Sequence, residues 1–444
     1  MKPFIRRLLA GLQQIWQTIR GFRRYFSRAE RGVILGLLLI ALGSMGFWVR
    51  DALVRSGRVS AGNMVYSEGW VIKDPKVTLD FGRLTRAGLT RFDAAGQVVG
   101  DMAESWEESA DRQTYTFHIR PSIQASQLMG YISQDKSVYG GAEASAPDEQ
   151  TLVLQLKQPL NYFLNITTHS VYPYGPYRLE RQTANAVTLV AARDYHLGRP
   201  KIGRVVIRLY KNQNELSKAV AKKQVLATAD LTSEIPDLKV QRVALPRFVS
   251  LFLNIARPPF SDKETRRKLV QGENLADKHL KITLASNSVP EVDRELQGVL
   301  DKFSQQGVEV TVTKQDSLTI VQDTIARRDY DALLFGIDYG YGEDLYPFWH
   351  SSQATSSGSN FVGLQNKTLD KKLEEARTTN DQGKRKELVD QIKNIIKDEF
   401  VEMPIREEML IYQSSNNVGG NEIAKLFDPL DRFSNITAWT VTGK

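Results

Sequence analysis

No cysteine occurs among the 444 residues. That absence removes disulfides, thiolate metal sites, a cysteine nucleophile and a lipid-bearing N-terminal Cys together, and it leaves the redox compartment unmarked. Histidine is nearly as scarce: His118, His169, His196, His279 and His350 are scattered, there is no HExxH pair, and no carboxylate cluster stands at metal-ligand spacing. No metal site is expected. The chain also lacks a GxSxG elbow, a P-loop and a GxGxxG turn, so a serine hydrolase, a phosphate-binding NTPase and a dinucleotide enzyme each miss their defining local geometry. Residues that converge only in space would leave no such motif, and an enzyme facing the cell wall stays as a third reading, but the expectation is no catalytic residue, no cofactor and no enzymatic activity.

Charge of one sign is missing from most of the chain as well. The net charge of +8 comes from 59 Lys and Arg against 51 Asp and Glu, yet the first fifty residues alone hold nine basic residues and one acid, Glu30. The remainder carries fifty of each sign and is neutral. A neutral body offers no electrostatic footprint for a phosphate backbone, so nucleic acid is not an expected partner.

What is present begins with one long apolar run, "VILGLLLIALGSMGFWV" from Val33 to Val49, without an ionisable group. At ~1.5 Å per helical residue it covers about 26 Å, within the range of a single membrane span. Lys2, Arg6, Arg7, Arg20, Arg23, Arg24, Arg28 and Arg31 precede it. The positive-inside bias then puts the N-terminus in the cytoplasm and everything after Arg50 outside. A cleaved secretory signal and a buried core helix are the alternatives. A retained signal-anchor over 32–49 is favoured, because about thirty residues precede the run and only a weak small-residue site, "VSAG", follows it. The leading segment places Phe4, Leu8, Leu12, Ile15, Ile19 and Phe22 at helical intervals between arginines, which reads as an amphipathic helix on the anionic inner leaflet or as a solvated basic tail.

After a polar tether, "RSGRVSAGN", the folded body is expected from residue 63. Runs such as "MVYSEGWVI", "TYTFHIR", "TLVLQLKQ" and "AVTLVAA" predict mostly sheet to about residue 245. Beyond 260, "DKETRRKLV", "VDRELQGVLDKFSQQG" and "TLDKKLEEARTT" repeat apolar positions at three and four residues and alternate with "LKITLA", "VEVTV" and "DALLFGI". That order predicts a second, α/β lobe with a parallel sheet. No internal repeat is visible.

The stretch "LTRFDAAGQVVGDMAESWEESADRQTYTFHIRP" (89–121) resembles the opening signature of the peptide/nickel-type extracellular solute-binding proteins, family 5, the receptors of ABC importers. The resemblance continues in order through "DEQTLVLQLKQP", "YGPYRLE", "AARDYHLGRPKIGRVVIRLY", "LFLNIARPPFSDKETRRKL" and "NKTLDKKLEEARTTNDQGKRKELVDQIKNIIKDEFVEMPI", covering most of 64–440. It implies a two-lobe α/β fold of the periplasmic-binding-protein type (type II, peptide-binding class) after an N-terminal transmembrane helix. The implied organisation is a cytoplasmic segment 1–31, a span 32–49, a linker 50–62, lobe 1 over 63–245, lobe 2 over 246–412, and a C-terminal return to lobe 1 over 413–444. Candidate hinges are "LPRFVSLFLN" near 246 and "EEMLIYQSS" near 412. Two departures stand out: "QASQLMGYISQDKSVYGGAEASAP" replaces a family turn and helix, and a helix and long loop after "RRKLV" are absent. Both lobes are trimmed.

In peptide-binding members an aspartate at the end of a second-lobe strand holds the ligand's α-ammonium, and Asp338 in "LLFGIDYGYGEDLYPFW" aligns with it. A carboxylate at a strand's carboxyl end faces the crevice where ligands of open α/β sheets bind. Tyr339, Tyr341, Tyr346 and Trp349 are candidate pocket walls. The bland readings are a turn or cap role for Asp338, core packing for Phe348 and Trp349, solvated turn acids at Glu343 and Asp344, and structural roles for Asn254 and Arg266. The Asn-x-Thr triplets at Asn165, Asn366 and Asn435 carry little weight. The resemblance implies peptide or another small solute as ligand, and as partners an ABC permease and the bilayer through 32–49, with the body on the outer face of the cell membrane. The alternative is a tethered two-lobe sensor or scaffold without a transport role.

Overall fold

The protein is described by a computed structural model over residues 64–72, 79–134, 139–423 and 425–442. The expected cytoplasmic segment, span and linker lie outside the described residues. Among the described residues no helix is long and apolar enough to cross a membrane.

One ten-stranded sheet runs through the body. Its order is Glu309–Gln315, Lys281–Asn287, Ala332–Asp338, Lys239–Leu253, Glu402–Ser414, Ala227–Thr228, Met64–Val71, Ile202–Tyr210, Ala186–Ala191 and Tyr177–Gln182. The strands follow the apolar alternation of the sequence: Ala186–Ala191 and, in a separate four-stranded sheet, Thr114–Ile119 bury every second residue, the pattern of a sheet with one covered face. The three strands of the second half, Lys281–Asn287, Glu309–Gln315 and Ala332–Asp338, pair in parallel. The parallel arrangement stops there, because Ala332–Asp338 pairs antiparallel with Lys239–Leu253.

Lys239–Leu253 and Glu402–Ser414 are long enough to belong to both halves. They pair antiparallel from Lys239↔Ser414 to Phe252↔Glu402, and the register breaks between Ala244 and Phe248. Pro246 sits in that gap and cannot donate to a ladder. Burial divides at the same place: Leu245, Leu410 and Tyr412 join the core around Tyr66, Val205 and Trp439, whereas Val249, Leu251 and Met403 join the core around Leu284, Leu296 and Phe303. Two lobes therefore meet on two shared strands. Lobe 2 covers both faces of its sheet, one with helices Lys263–Gln271 and Pro290–Gln305, the other with Lys367–Thr378 and Gln382–Glu399.

Local signals set the helix ends. Asp262 accepts from the backbone N–H groups of Glu264 and Thr265, and Gly272 closes the same helix at φ 81°, a conformation glycine adopts freely. Asn366 caps Lys367–Thr378 in the same way. Within the segment expected to depart from the family pattern, helix Ala125–Gln134 forms and buries Ala125, Leu128 and Ile132 on the four-stranded sheet. The final residues pack onto lobe 1, where Phe433, Ile436 and Trp439 meet Tyr66, Tyr177 and Tyr412.

Candidate ligand site

Strand Ala332–Asp338 buries its first three residues and emerges at its end, so Asp338 reaches the junction between the lobes with 43% of its side chain exposed. Directly opposite on the neighbouring strand is Arg247. Its Nε donates to Asp338 Oδ2 at 2.7 Å, and its Nη2 to Asp428 Oδ2 at 3.1 Å. Asp338 Oδ1 meanwhile accepts from the Gly340 N–H at 2.7 Å, so it also serves the turn that follows. Burial pulls the Arg247 guanidinium down, but its bond to Asp338 and the charges of Asp338, Asp428 and Glu408 more than offset that and hold it above its ordinary value. The trio of two carboxylates and one guanidinium carries a net charge of −1.

The four aromatic candidates separate. Tyr339 lies on the core of lobe 2, its ring 5.5 Å from Phe248 and 5.2 Å from Phe348. Trp349 is 1% exposed and packs 6.3 Å from Phe252, so it presents no surface to the crevice. Tyr346 stacks on His350 at 4.1 Å and lies under the Arg377 guanidinium at 4.3 Å. Tyr341 crosses to lobe 1, between His169 at 5.3 Å and Phe427 at 5.2 Å. Burial, with Asp431 adding to it, pushes its phenol far above the usual range, while burial lowers His169. Of the five predicted residues, the fold places Asp338 and Tyr341 at the junction and Trp349 in the interior.

The turn acids are corrected in part. Asp344 is not solvated: with 11% of its side chain exposed it accepts from the Tyr162 hydroxyl at 2.7 Å and pairs with Arg377 at 3.1 Å. Glu343 stays half exposed beside Lys425 at 3.6 Å. Gly342 lies under the Tyr162 ring so closely that a Cβ would clash with it. Asn254 donates to the carbonyls of Tyr330 at 2.9 Å and Arg328 at 3.3 Å, and Arg266 to those of Phe260 at 2.8 Å and Glu399 at 2.9 Å, both structural roles.

Behind Tyr341 lies a buried polar cluster with no counterpart among the sequence candidates. Arg83 pairs with Asp431 at 3.2 Å and Asp101 at 3.7 Å, and His196 Nε2 meets Asp101 at 2.7 Å. Burial opposes the Arg83 charge, but Asp431 and Asp101 outweigh it and raise its pKa. One local signal was available, the capping box of Asp428 and Asp431 in "DPLDRF". The other partners are 18 to 348 positions apart in sequence and leave no local trace. Among the described residues no group of three or more His, Cys, Asp or Glu could hold a metal ion.

This geometry can be set beside known proteins. Residues 129–272 match the model of bacterial extracellular solute-binding proteins, family 5 Middle. No curated protein matches the chain. Among solved structures, the oligopeptide-binding protein AppA from Bacillus subtilis, determined with a nonapeptide, is 16% identical with a TM-score of 0.66, and the match covers 85% of this chain and 99% of that one. A putative peptide binding protein AppA from Clostridium difficile is 14% identical at 0.71, covering 85% and 100%. NikZ from Campylobacter jejuni, determined with Ni(L-His), is 15% identical at 0.63, covering 85% and 99%. All three share the two-lobe α/β architecture. The segment matched over 129–272 is thus similar to the middle part of the family 5 extracellular solute-binding proteins, and the two-lobe fold is one that such proteins share.

Proposed function

We propose that the chain is the substrate-binding protein of an ABC importer, tethered by residues 32–49 with its N-terminus in the cytoplasm, and that it holds a peptide or similar amine-bearing solute between lobes that close on it. The observation that carries this reading is the trio at the junction. Arg247 neutralises only one of Asp338 and Asp428, and the remaining charge favours a cationic group at the carboxyl end of a strand, where such sheets bind ligands. A ligand ammonium on Asp338 makes a charge-assisted bond, strengthened where water is excluded. Calorimetry of the full chain with a random di- to hexapeptide mixture should give heat and a thermal shift. Asp338→Asn, which leaves Arg247 its second partner, should weaken peptides with a free N-terminus about ten- to hundred-fold, the effect of losing one hydrogen bond to a charged group, and spare N-acetylated ones. Equal loss for both removes the assigned role of Asp338.

One observation favours the alternative of a tethered sensor or scaffold. The lobes already meet through the chain's own side chains, Tyr341 against His169 and Tyr162 bonded to Asp344. Absence of heat with every peptide, in the wild type and in Tyr341→Ala alike, would favour that reading over transport.

A further inference from the structure

We infer that Asn161 and Tyr162 form a latch that holds the two lobes shut when no ligand is bound. The last carbonyls of an α-helix have no partner within it and need one from elsewhere. At the end of helix Lys367–Thr378 in lobe 2 most of that supply comes from lobe 1. Asn161 Nδ2 donates to the carbonyls of Ala376 at 2.8 Å and Thr379 at 3.2 Å, and the Asn161 backbone N–H donates to that of Arg377 at 3.0 Å. One residue, 215 positions before Ala376, thus caps the helix across the junction. The next residue extends the hold: Tyr162 donates to Asp344, which Arg377 of the capped helix also grips, and the Tyr162 ring covers Gly342. Arg112 adds a bond to Asn380 beyond the helix end.

All of these contacts are made between the protein's own groups and none involves Asp338, so the closed arrangement is stabilised by the protein itself. A ligand must then wait for, or pull, the minor open state, and its apparent affinity falls with the fraction of molecules that are open. Two features keep the latch reversible. Asn161 Oδ1 is buried without a partner and regains water on opening. A cavity of about 340 Å³, lined by Asn161, Trp106, Tyr115, Leu164, Asn380 and Gln382, borders the seam, so little close packing is lost when it parts.

The lack of any native cysteine makes the test direct. In the full chain, exposed Glu149→Cys and Lys386→Cys place one label on each lobe, and the distance distribution is measured by pulsed electron resonance without ligand. The expected result is one short distance in the otherwise unaltered chain and, in Asn161→Ala, a long-distance population raised roughly ten-fold, the effect of losing two side-chain hydrogen bonds. Tyr162→Phe, which removes one oxygen and keeps the ring, should give a smaller rise, and it decides the matter if Asn161→Ala does not fold. A ligand-free chain that is already mostly open overturns the inference, as does a distribution that neither variant moves. No ligand enters the measurement, so its outcome is independent of whether peptides bind.

Discussion

Glu68 and Arg432 show what a single buried position can decide. Glu68 is fully buried; it receives Trp70 Nε1 at 2.9 Å, together with the Tyr66 hydroxyl and the Arg432 guanidinium. Burial and the neighbouring Glu68 charge keep the Tyr66 phenol far above its ordinary pKa, so it stays a donor. Removing one member of such a pair strands the other charge away from water. Arg432→Met should therefore lower the unfolding free energy by ~3–5 kcal/mol in a denaturant titration, and the double variant with Glu68→Leu should recover part of the loss. The sequence did not disclose this pair, because "MVYSEGWVI" reads as a strand whether its glutamate faces water or the interior. Asp338 was legible as a carboxylate at a predicted strand end that the resemblance also singles out, but its partner Arg247, and Asp428 which shares that partner, are 91 and 90 positions away. Trp349 carried two readings, pocket wall and core packing, and its burial fits the second; a short aromatic-rich loop does not itself reveal which ring turns inward.

Elements were far more legible than contacts. The runs at 64–72, 114–120, 151–158, 186–192, 280–285, 308–312 and 331–337 all became strands, and the three helical stretches after 260 became helices, since periodicity and caps act within a few residues of themselves. The cap of Lys263–Gln271 leads to a pH prediction. Hydrogen bonds, first from the Thr265 side chain, lower the Asp262 pKa from 3.8 to about 2. The folded value is below the unfolded one, so the cap's contribution is complete above about pH 4 and is lost as pH falls toward 2. The thermal midpoint should drop between pH 6 and pH 2.5 by more in the wild type than in Asp262→Asn, whose cap does not titrate. Equal drops would show that the carboxylate is not what holds this helix end. Strand partners, by contrast, could not be read: the sequence suggests a parallel lobe, yet Ala332–Asp338 ends its parallel run against Lys239–Leu253, a pairing between segments about 85 positions apart.

For the molecule as a whole, the proposed anchor makes the plainest prediction. The full chain should stay with membranes through an alkaline carbonate wash, and a chain beginning at residue 63 should appear in the supernatant; release of both would remove the signal-anchor. The sequence by itself determined the segregation of charge and apolar length into the first fifty residues and the kinds and order of the elements, properties that add up along the chain or within one turn of it. Only the tertiary structure decided that the two candidate hinge stretches pair with each other as long strands, that Arg247 stands against Asp338 and Asp428, that Tyr341 crosses to the other lobe, and that Asn161 caps a helix it does not belong to. Such contacts arise when distant segments bury apolar faces together, and burial then obliges whatever polar groups lie at the seam to find each other.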